Sequence, residues 1–267
     1  MINLNTESNS SLLQQVQQRQ ESIFEKLASG KKVNSAADGA AAQQIIDRLT
    51  SQVEGNRQSV TNAYDGVSLT QVAESGLSGI NDDVSRIREL SVQAGNGILS
   101  DSDRQAIQAE VTQLQENISQ TIEQTEFGGK SLLSDAGTID FQIGANAGQK
   151  IGVETQDVAA SLTDVLNVDL STAQGAEEAL TVADEAAEFV GAARADLGAT
   201  QNQFESAARN LTQANVNVAA ARSRIQDTDY AQATADSAAA NILGQASISV
   251  QAQANQQQGQ VLSLLNG

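Results

Sequence analysis

The 267-residue chain contains no proline. At an average usage of about 5%, roughly 13 prolines would be expected in a chain of this length. Proline costs a helix interior about 3 kcal/mol, because it removes a backbone donor and clashes with the preceding turn. A chain without proline can form long uninterrupted helices, and here apolar residues recur at helical spacing inward from both ends. The sequence therefore predicts a mainly α fold.

The two ends carry thin apolar stripes set among glutamines. Steps of three and four between apolar positions are typical of coiled-coil helices. We expect these stripes to be the contact surface of the terminal helices and the polymerisation surface, with the following residues: Leu13, Val16, Ile23, Leu27, Leu243, Val250, Val261, Leu262, Leu264 and Leu265.

Between the ends, the strongest helical pattern runs from about Ala42 to the glycine turn at 95–97. A second helix should begin with Asp101 or Ser102 as its cap and end at residues 127–129. The glycine turn between these helices predicts that they pack antiparallel. Helical periodicity returns at about residue 173.

A short central stretch has a different period. Residues 138–143 and 150–154 alternate apolar and polar side chains around a glycine-containing turn, which predicts a β-hairpin near 138–154. The predicted fold class is long coiled-coil-like helices from both termini forming a helical bundle with this small hairpin. Residues 1–41 and 226–267 would be inner terminal helices with a connector, and 42–225 a helical-bundle layer.

Charge and residue types exclude several functions. The net charge is −18, so a basic patch for nucleic acid is missing and an anionic membrane surface is disfavoured. The chain has no His and no Cys, which removes the common nucleophile systems and most zinc sites. Residues 128–131 resemble the end of a phosphate loop, but Gln124 stands where its first glycine is required. We predict no enzyme activity and no cofactor.

Nine carboxylates and no basic residue lie between Lys150 and Arg194. This stretch is interpreted as a solvated outer face; the alternative, a cation site, lacks the spacing of a calcium loop. The N-terminal residues lack the basic and apolar regions of a cleaved secretory signal.

Several motifs together resemble those of bacterial flagellins. Residues 27–36 (LASGKKVNSA) are similar to the segment L-S-S-G-x-x-I-N-S-A, and residues 86–93 (RIRELSVQ) to R-x-R-E-L-A-V-Q. Residues 125–129 (TEFGG) match the end of the next helix, and residues 221–231 (ARSRIQDTDYA) match the C-terminal signature. The resemblance covers nearly the whole chain outside roughly 132–174.

The resemblance implies a structural subunit that polymerises with its own copies into the flagellar filament used for swimming. It also implies an extracellular location, reached through the flagellar type III secretion route without a cleaved signal peptide. The implied partners are an export chaperone at the C-terminal helix, and the filament cap and hook-associated junction proteins. A hook–filament junction protein is the alternative function, and an unrelated helical secreted adhesin or enzyme is a third.

A Toll-like receptor of a host is a further implied partner. In flagellins that such receptors detect, the R-x-R-E-L-x-V-Q face and a nearby acid are recognised. The matching positions are Arg86, Leu90, Gln93 and Glu110. Packing of Leu90 inside the helical bundle is expected in either case.

Overall fold

This computed structural model describes the backbone of residues 3–265 and the side chains of residues 11–257, 259 and 260. Long helices predominate, as predicted, and the elements follow in this order: α1 (Asn3–Ser29), α2 (Ala36–Ala94), α3 (Asp101–Gln124), β1 (Glu126–Phe127), β2 (Lys130–Ser131), β3 (Gly137–Gln142), β4 (Lys150–Thr155), α4 (Val158–Ser161), α5 (Thr163–Leu166), α6 (Ala173–Gln226) and α7 (Tyr230–Leu265).

The chain divides into two compact units. The terminal unit contains Met1–Val53 and Val216–Gly267, and the central unit contains Glu54–Asn215. The expected assignment of 1–41 and 226–267 to an inner layer concerns the assembled polymer and stays a prediction.

The core of the central unit is built by one apolar face from each of three long helices. Small side chains on α6 allow close helix approach, whereas α2 and α3 contribute branched ones. The buried residues include Leu77, Ile80, Val84, Ile87 and Leu90 of α2, Ile107, Val111, Ile118 and Ile122 of α3, and Ala176, Ala179, Ala183, Ala186 and Val190 of α6.

The predicted hairpin is confirmed: β3 and β4 pair antiparallel, with Ile139 opposite Val153 and Phe141 opposite Ile151. A second, shorter hairpin was not expected. Gly128 and Gly129, with φ of 59° and 77°, form the turn between β1 and β2, so α3 ends at Gln124 instead of at the glycines. Two adjacent residues with positive φ suit a tight hairpin turn.

The start of α3 also differs from the sequence prediction. Ser100, and neither Asp101 nor Ser102, is the N-cap residue. The Ser100 hydroxyl accepts from the Asp103 backbone N–H at 3.3 Å, and Asp103 Oδ2 accepts from the Ser100 backbone N–H at 3.0 Å. This reciprocal capping box satisfies two helix-terminal donors at once.

Two glutamines of α3 hold the segment that follows α5. Gln108 Oε1 accepts from the Leu170 backbone N–H at 2.6 Å, and Gln115 Nε2 donates to the carbonyls of Val165 and Val168 at 3.0 and 3.1 Å. Buried backbone groups need such partners where no regular ladder is available. The acidic central stretch is therefore anchored on α3.

The beginning of α2 is less regular than its length suggests. It starts at Ala36, earlier than the predicted Ala42, and Gly39 departs from helical geometry. The helix ends at Ala94, directly before the predicted glycine turn.

Candidate assembly and recognition surfaces

The helices α1 and α7 of the terminal unit pack against each other in antiparallel orientation. Gln20 Nε2 donates to the Ala240 carbonyl at 3.1 Å and to Asn241 Oδ1 at 3.0 Å, in the middle of the pair. At the connector end, the Tyr230 hydroxyl donates to the Leu27 carbonyl at 3.2 Å. Positions late in α1 thus meet positions early in α7.

The pairing face of α1 has the predicted heptad spacing and consists of Leu13, Val16, Gln20, Ile23 and Leu27, all buried or half-buried. The pairing face of α7 consists mainly of small residues: Ala233, Ala240, Gly244, Ser247 and Ala254. A Cβ atom on Gly244 would lie 3.3 Å from Gln20 Nε2 and 3.6 Å from Val16 Cγ1. The larger α1 side chains therefore pack directly onto the α7 backbone.

The predicted seam residues of α7 are not on this pairing face. Leu243 is 52% exposed and Val250 is 56% exposed, and Ala246 between them is also exposed. Their 3–4 spacing places them on one side of the helix, which we call the outer face of α7. Small residues occupy the positions that face α1, so Leu243 and Val250 lie outside the α1–α7 contact of the single molecule, and their role in polymerisation stays a prediction.

The remaining predicted seam residues are Val261, Leu262, Leu264 and Leu265, and their side chains lie outside the described residues. On α1, Leu12 and Phe24 are exposed at 50% and 57%. The terminal unit thus presents large apolar side chains to solvent on both of its paired helices.

The two connectors of the terminal unit pair with each other. Lys32 and Thr228 donate backbone N–H groups to the carbonyls of Gln226 and Gly30, at 2.6 and 3.0 Å. Gly30 has a φ of 68°, and a Cβ there would lie 3.1 Å from the Tyr230 hydroxyl. The positive φ therefore favours glycine at this position, and a Cβ there would also require the exposed Tyr230 side chain to shift slightly.

Asp38 organises the chain before α2. Its Oδ2 accepts from the backbone N–H groups of Ser35 and Asn34, at 2.8 and 3.0 Å, and from the Ser35 hydroxyl at 3.2 Å. These donors, first the Ser35 backbone and then that of Asn34, lower the pKa of Asp38 because they stabilise its charged form.

The second predicted surface lies on α2 and α3 of the central unit. Arg86 Nη2 and Nε contact Glu110 Oε1 at 2.8 and 3.0 Å, and Arg86 Nη1 contacts Glu89 Oε2 at 2.9 Å. Both side chains of the Arg86–Glu110 pair are about half exposed, at 48% and 47%. Two of the four predicted receptor residues are therefore in direct contact at the surface.

The other two differ from each other. Gln93 is exposed, whereas Leu90 is only 2% exposed and belongs to the core of the central unit. Leu90 lies one helical turn after Arg86, but it is buried together with Ile87, whereas Arg86, at the edge of this buried stripe, reaches solvent.

Sequence reasoning missed the arginine that holds the turn between α2 and α3. Arg104 is 7% exposed and donates to three carbonyls: Nε to Ala94 at 3.0 Å, Nη1 to Leu99 at 2.9 Å and Nη2 to Asn96 at 3.1 Å. A cation beside the last carbonyls of a helix is favoured by the helix dipole. Its position in the first turn of α3 gave no hint of this contact with the end of α2.

Within residues 3–265, none of the helices combines the length and apolar character that a membrane crossing requires. In the same part of the chain, no group of His, Cys, Asp or Glu residues is arranged to hold a metal ion.

Comparisons with known proteins agree with the motifs. A family model described as the bacterial flagellin N-terminal helical region matches residues 2–138, and the bacterial flagellin C-terminal helical region matches residues 180–265. The flagellin of Halalkalibacterium halodurans is 38% identical over 245 residues, which cover 91% of this chain and 90% of that protein.

Solved structures of flagellar proteins are also similar to this chain. Bacillus cereus flagellin is 28% identical with a TM-score of 0.53, covering 61% of this chain and 94% of that one. A flagellar hook-associated protein of Vibrio parahaemolyticus is 13% identical with a TM-score of 0.60, covering 71% of this chain and all of that one. At that identity the likeness concerns the fold alone.

Proposed function

The chain belongs to the bacterial flagellin family, and we propose that it assembles through the outer face of α7. Flagellins are structural subunits of the flagellar filament, and that is the function of this chain. The alternative of a junction protein has less support, since the likeness to a hook-associated protein is confined to the fold.

The observation that carries the assembly proposal is the arrangement of side chains on α7. Its small residues contact α1 within the same molecule, while Leu243, Ala246 and Val250 have no such partner and are exposed. Burial of a leucine or valine side chain contributes about 1.5–3 kcal/mol. Repeated in every subunit of a polymer, this face would supply a substantial part of the association free energy.

The distribution of charge favours the outer face of α7, and not the acidic stretch between Lys150 and Arg194, as the surface buried between copies of the chain. The net charge of −18 repels copies of the chain from one another, and apolar contacts must outweigh that repulsion. After Arg224 the chain has two carboxylates near the connector, Asp227 and Asp229, one at Asp236, and no basic residue. The later part of α7 is thus the least charged long helix surface available for contact between copies.

The finer proposals follow from the family. The same outer face is the part of α7 that an export chaperone would cover before secretion through the flagellar type III route, without a cleaved signal peptide. The filament cap and hook-associated junction proteins would contact the terminal unit. The filament would be extracellular, where a Toll-like receptor could contact Arg86, Gln93 and Glu110 on the central unit.

Polymerisation of outer-face variants tests the proposal. The double variant Leu243→Gln, Val250→Gln should remain helical by circular dichroism but fail to form filaments with precipitating salt and wild-type seeds, as seen by electron microscopy. Val92→Gln removes an equally exposed apolar side chain, at 56%, from the central unit and serves as the control. Filaments of the double variant at the wild-type threshold concentration would refute the proposal.

Deletion of either terminal helix tests whether assembly depends on the terminal unit. A chain lacking residues 1–30 or 231–267 should keep a folded helical central unit but form no filaments. Filaments formed by either truncated chain would show that the terminal helices are dispensable for assembly.

A further inference from the structure

We propose that Asn96 is a site of spontaneous covalent modification, in which its side-chain amide reacts with the backbone nitrogen of Gly97. The product is an aspartate or isoaspartate residue in the turn between α2 and α3. This inference concerns the folded subunit and is independent of the assembly proposal.

Accessibility is the first requirement for this reaction. Asn96 and Gly97 lie in an exposed turn after the end of α2, next to Ile98, which is 88% exposed. A Cβ atom added to Gly97 would meet no atom within 4 Å, so the space beside the Gly97 Cα is open. The sequence contains one other Asn-Gly pair, Asn266–Gly267, which lies outside the described residues.

Activation of the nucleophile is the second requirement. The Asn96 carbonyl, which shares a peptide bond with the Gly97 nitrogen, accepts hydrogen bonds from Arg104 Nη2 at 3.1 Å and from the Leu99 N–H at 3.2 Å. A buried guanidinium draws electron density from this carbonyl, and charge-assisted bonds are the stronger kind. The Gly97 N–H is thereby made more acidic.

Activation of the electrophile comes from the next residue of the turn. Asn96 Oδ1 accepts from the Ile98 backbone N–H at 3.3 Å. This bond polarises the side-chain carbonyl and makes its carbon more open to attack. Hydrogen-bond donors thus contact both carbonyl groups of Asn96. The backbone carbonyl accepts from Arg104 and Leu99, and the side-chain carbonyl accepts from Ile98.

The reaction balances with water as the single co-reactant. The Gly97 nitrogen loses its proton to solvent base and forms a bond to Asn96 Cγ, and the amide nitrogen leaves as ammonia, giving a five-membered imide. Water then opens the imide at Cγ, giving aspartate, or at the former backbone carbonyl carbon, giving isoaspartate. No oxidant or reductant is involved.

Arg104 also favours one of the two products. Its guanidinium contacts the oxygen of the former backbone carbonyl, which polarises that carbon for attack by water. In isoaspartate this oxygen becomes part of a free carboxylate, which would pair with the buried cation. We therefore expect isoaspartate to predominate over aspartate.

Timed incubation of purified monomer at mildly alkaline pH tests the proposal, with peptide mapping by mass spectrometry and chemical detection of isoaspartate. Asn96 should be converted several-fold faster than Asn117 or Asn202, and faster than the same asparagine in a free peptide of residues 93–100. Conversion no faster than in the free peptide would overturn the proposal, because the folded turn would then give no activation.

Variants distinguish the parts of the mechanism. Asn96→Gln should abolish conversion, and Gly97→Ala, placed in open space, should slow it several-fold while the melting temperature stays unchanged. Arg104→Lys, if folded by circular dichroism, should lower both the rate and the share of isoaspartate. If Arg104→Lys does not fold, Ile98→Pro, which removes the donor to Asn96 Oδ1, provides the second test and should slow conversion. An unchanged rate in Gly97→Ala would contradict the proposed attack by the Gly97 nitrogen.

Discussion

Gly66 of α2 lies directly against the ring of Phe204 of α6. A Cβ atom on Gly66 would lie 2.5 Å from both Cε1 and Cζ of that ring. Phe204 is fully buried and makes an edge-to-face contact with Phe141 of β3, with ring centroids 5.4 Å apart. In a chain with only five phenylalanines and no tryptophan, the helix backbone itself leaves space for the largest buried side chain.

Gly66→Ala should therefore destabilise the central unit. The added methyl group must displace a ring held on two sides, and such overpacking costs about 1–3 kcal/mol. This outweighs the gain in helix propensity of about 1 kcal/mol that alanine offers over glycine. Urea denaturation followed by circular dichroism measures the free energy of unfolding.

Gly79→Ala on the same helix is the matched control. A Cβ atom on Gly79 would meet nothing within 4 Å, so the substitution should stabilise the helix by about 0.5–1 kcal/mol. Equal effects of the two substitutions would contradict the size match between Gly66 and Phe204.

The fold class could be predicted because its evidence is local. Helical spacing, the glycine turn after Ala94 and the alternation of β3 and β4 each depend on neighbouring residues. The small second hairpin was missed because Gly128 and Gly129 end a helix as readily as they form a hairpin turn. The sequence analysis named Asp101 and Ser102 as capping candidates, but Ser100 is the cap because Asp103, three residues on, completes a capping box with it.

The surfaces were harder to predict than the fold. Leu243 and Val250 have the spacing of a buried seam, but α1 packs instead on Ala240 and Gly244, whose small size permits a closer approach. Apolar periodicity alone cannot tell which of two faces is paired within the molecule when small residues form one of them. By contrast, the expected inward packing of Leu90 is confirmed, because its spacing in α2 is that of the buried stripe that also contains Ile87.

The capping box of α3 predicts a pH dependence. The Ser100 hydroxyl and then its backbone N–H lower the pKa of Asp103, because both donate to the charged carboxylate. A group with a lowered pKa in the folded state stabilises that state above its ordinary pKa, and the contribution is lost as pH falls through the folded value. The free energy of unfolding should therefore decline as pH falls below about 4.

Asp103→Asn should be less stable than wild type at pH 7 and should lose less stability between pH 5 and the acid range of about pH 2–3. Asp135→Asn, which removes an exposed loop carboxylate, is the control. Parallel stability curves for wild type and Asp103→Asn across this range would show that the capping carboxylate does not contribute.

Gly244→Val should separate α1 from α7. The valine side chain would enter the space of Gln20 and Val16, whose atoms are already 3.3 and 3.6 Å from an ideal Cβ. Trypsin should then cleave α1 faster after Arg19 and Lys26, since pairing with α7 protects that helix. Ala246→Val on the outer face adds the same type of side chain without meeting α1 and should leave cleavage at the wild-type rate.

Arg86 and Leu90 should behave differently in a receptor assay because only Arg86 is at the surface. Leu90→Ala should cost about 2–5 kcal/mol by leaving a cavity in the core, so any loss of response would follow the loss of folded protein. Arg86→Ala breaks a half-exposed ion pair with Glu110, worth about 0.2–1 kcal/mol, and should leave the melting temperature nearly unchanged.

If reporter cells carrying a Toll-like receptor respond to the wild type, Arg86→Ala and Gln93→Ala should reduce the response at equal folded concentration. The exchanged pair Arg86→Glu, Glu110→Arg keeps the 86–110 ion pair with reversed direction but loses the contact with Glu89, so its response is compared at equal folded concentration. A full response to the exchanged variant would show that these side chains are not contacted.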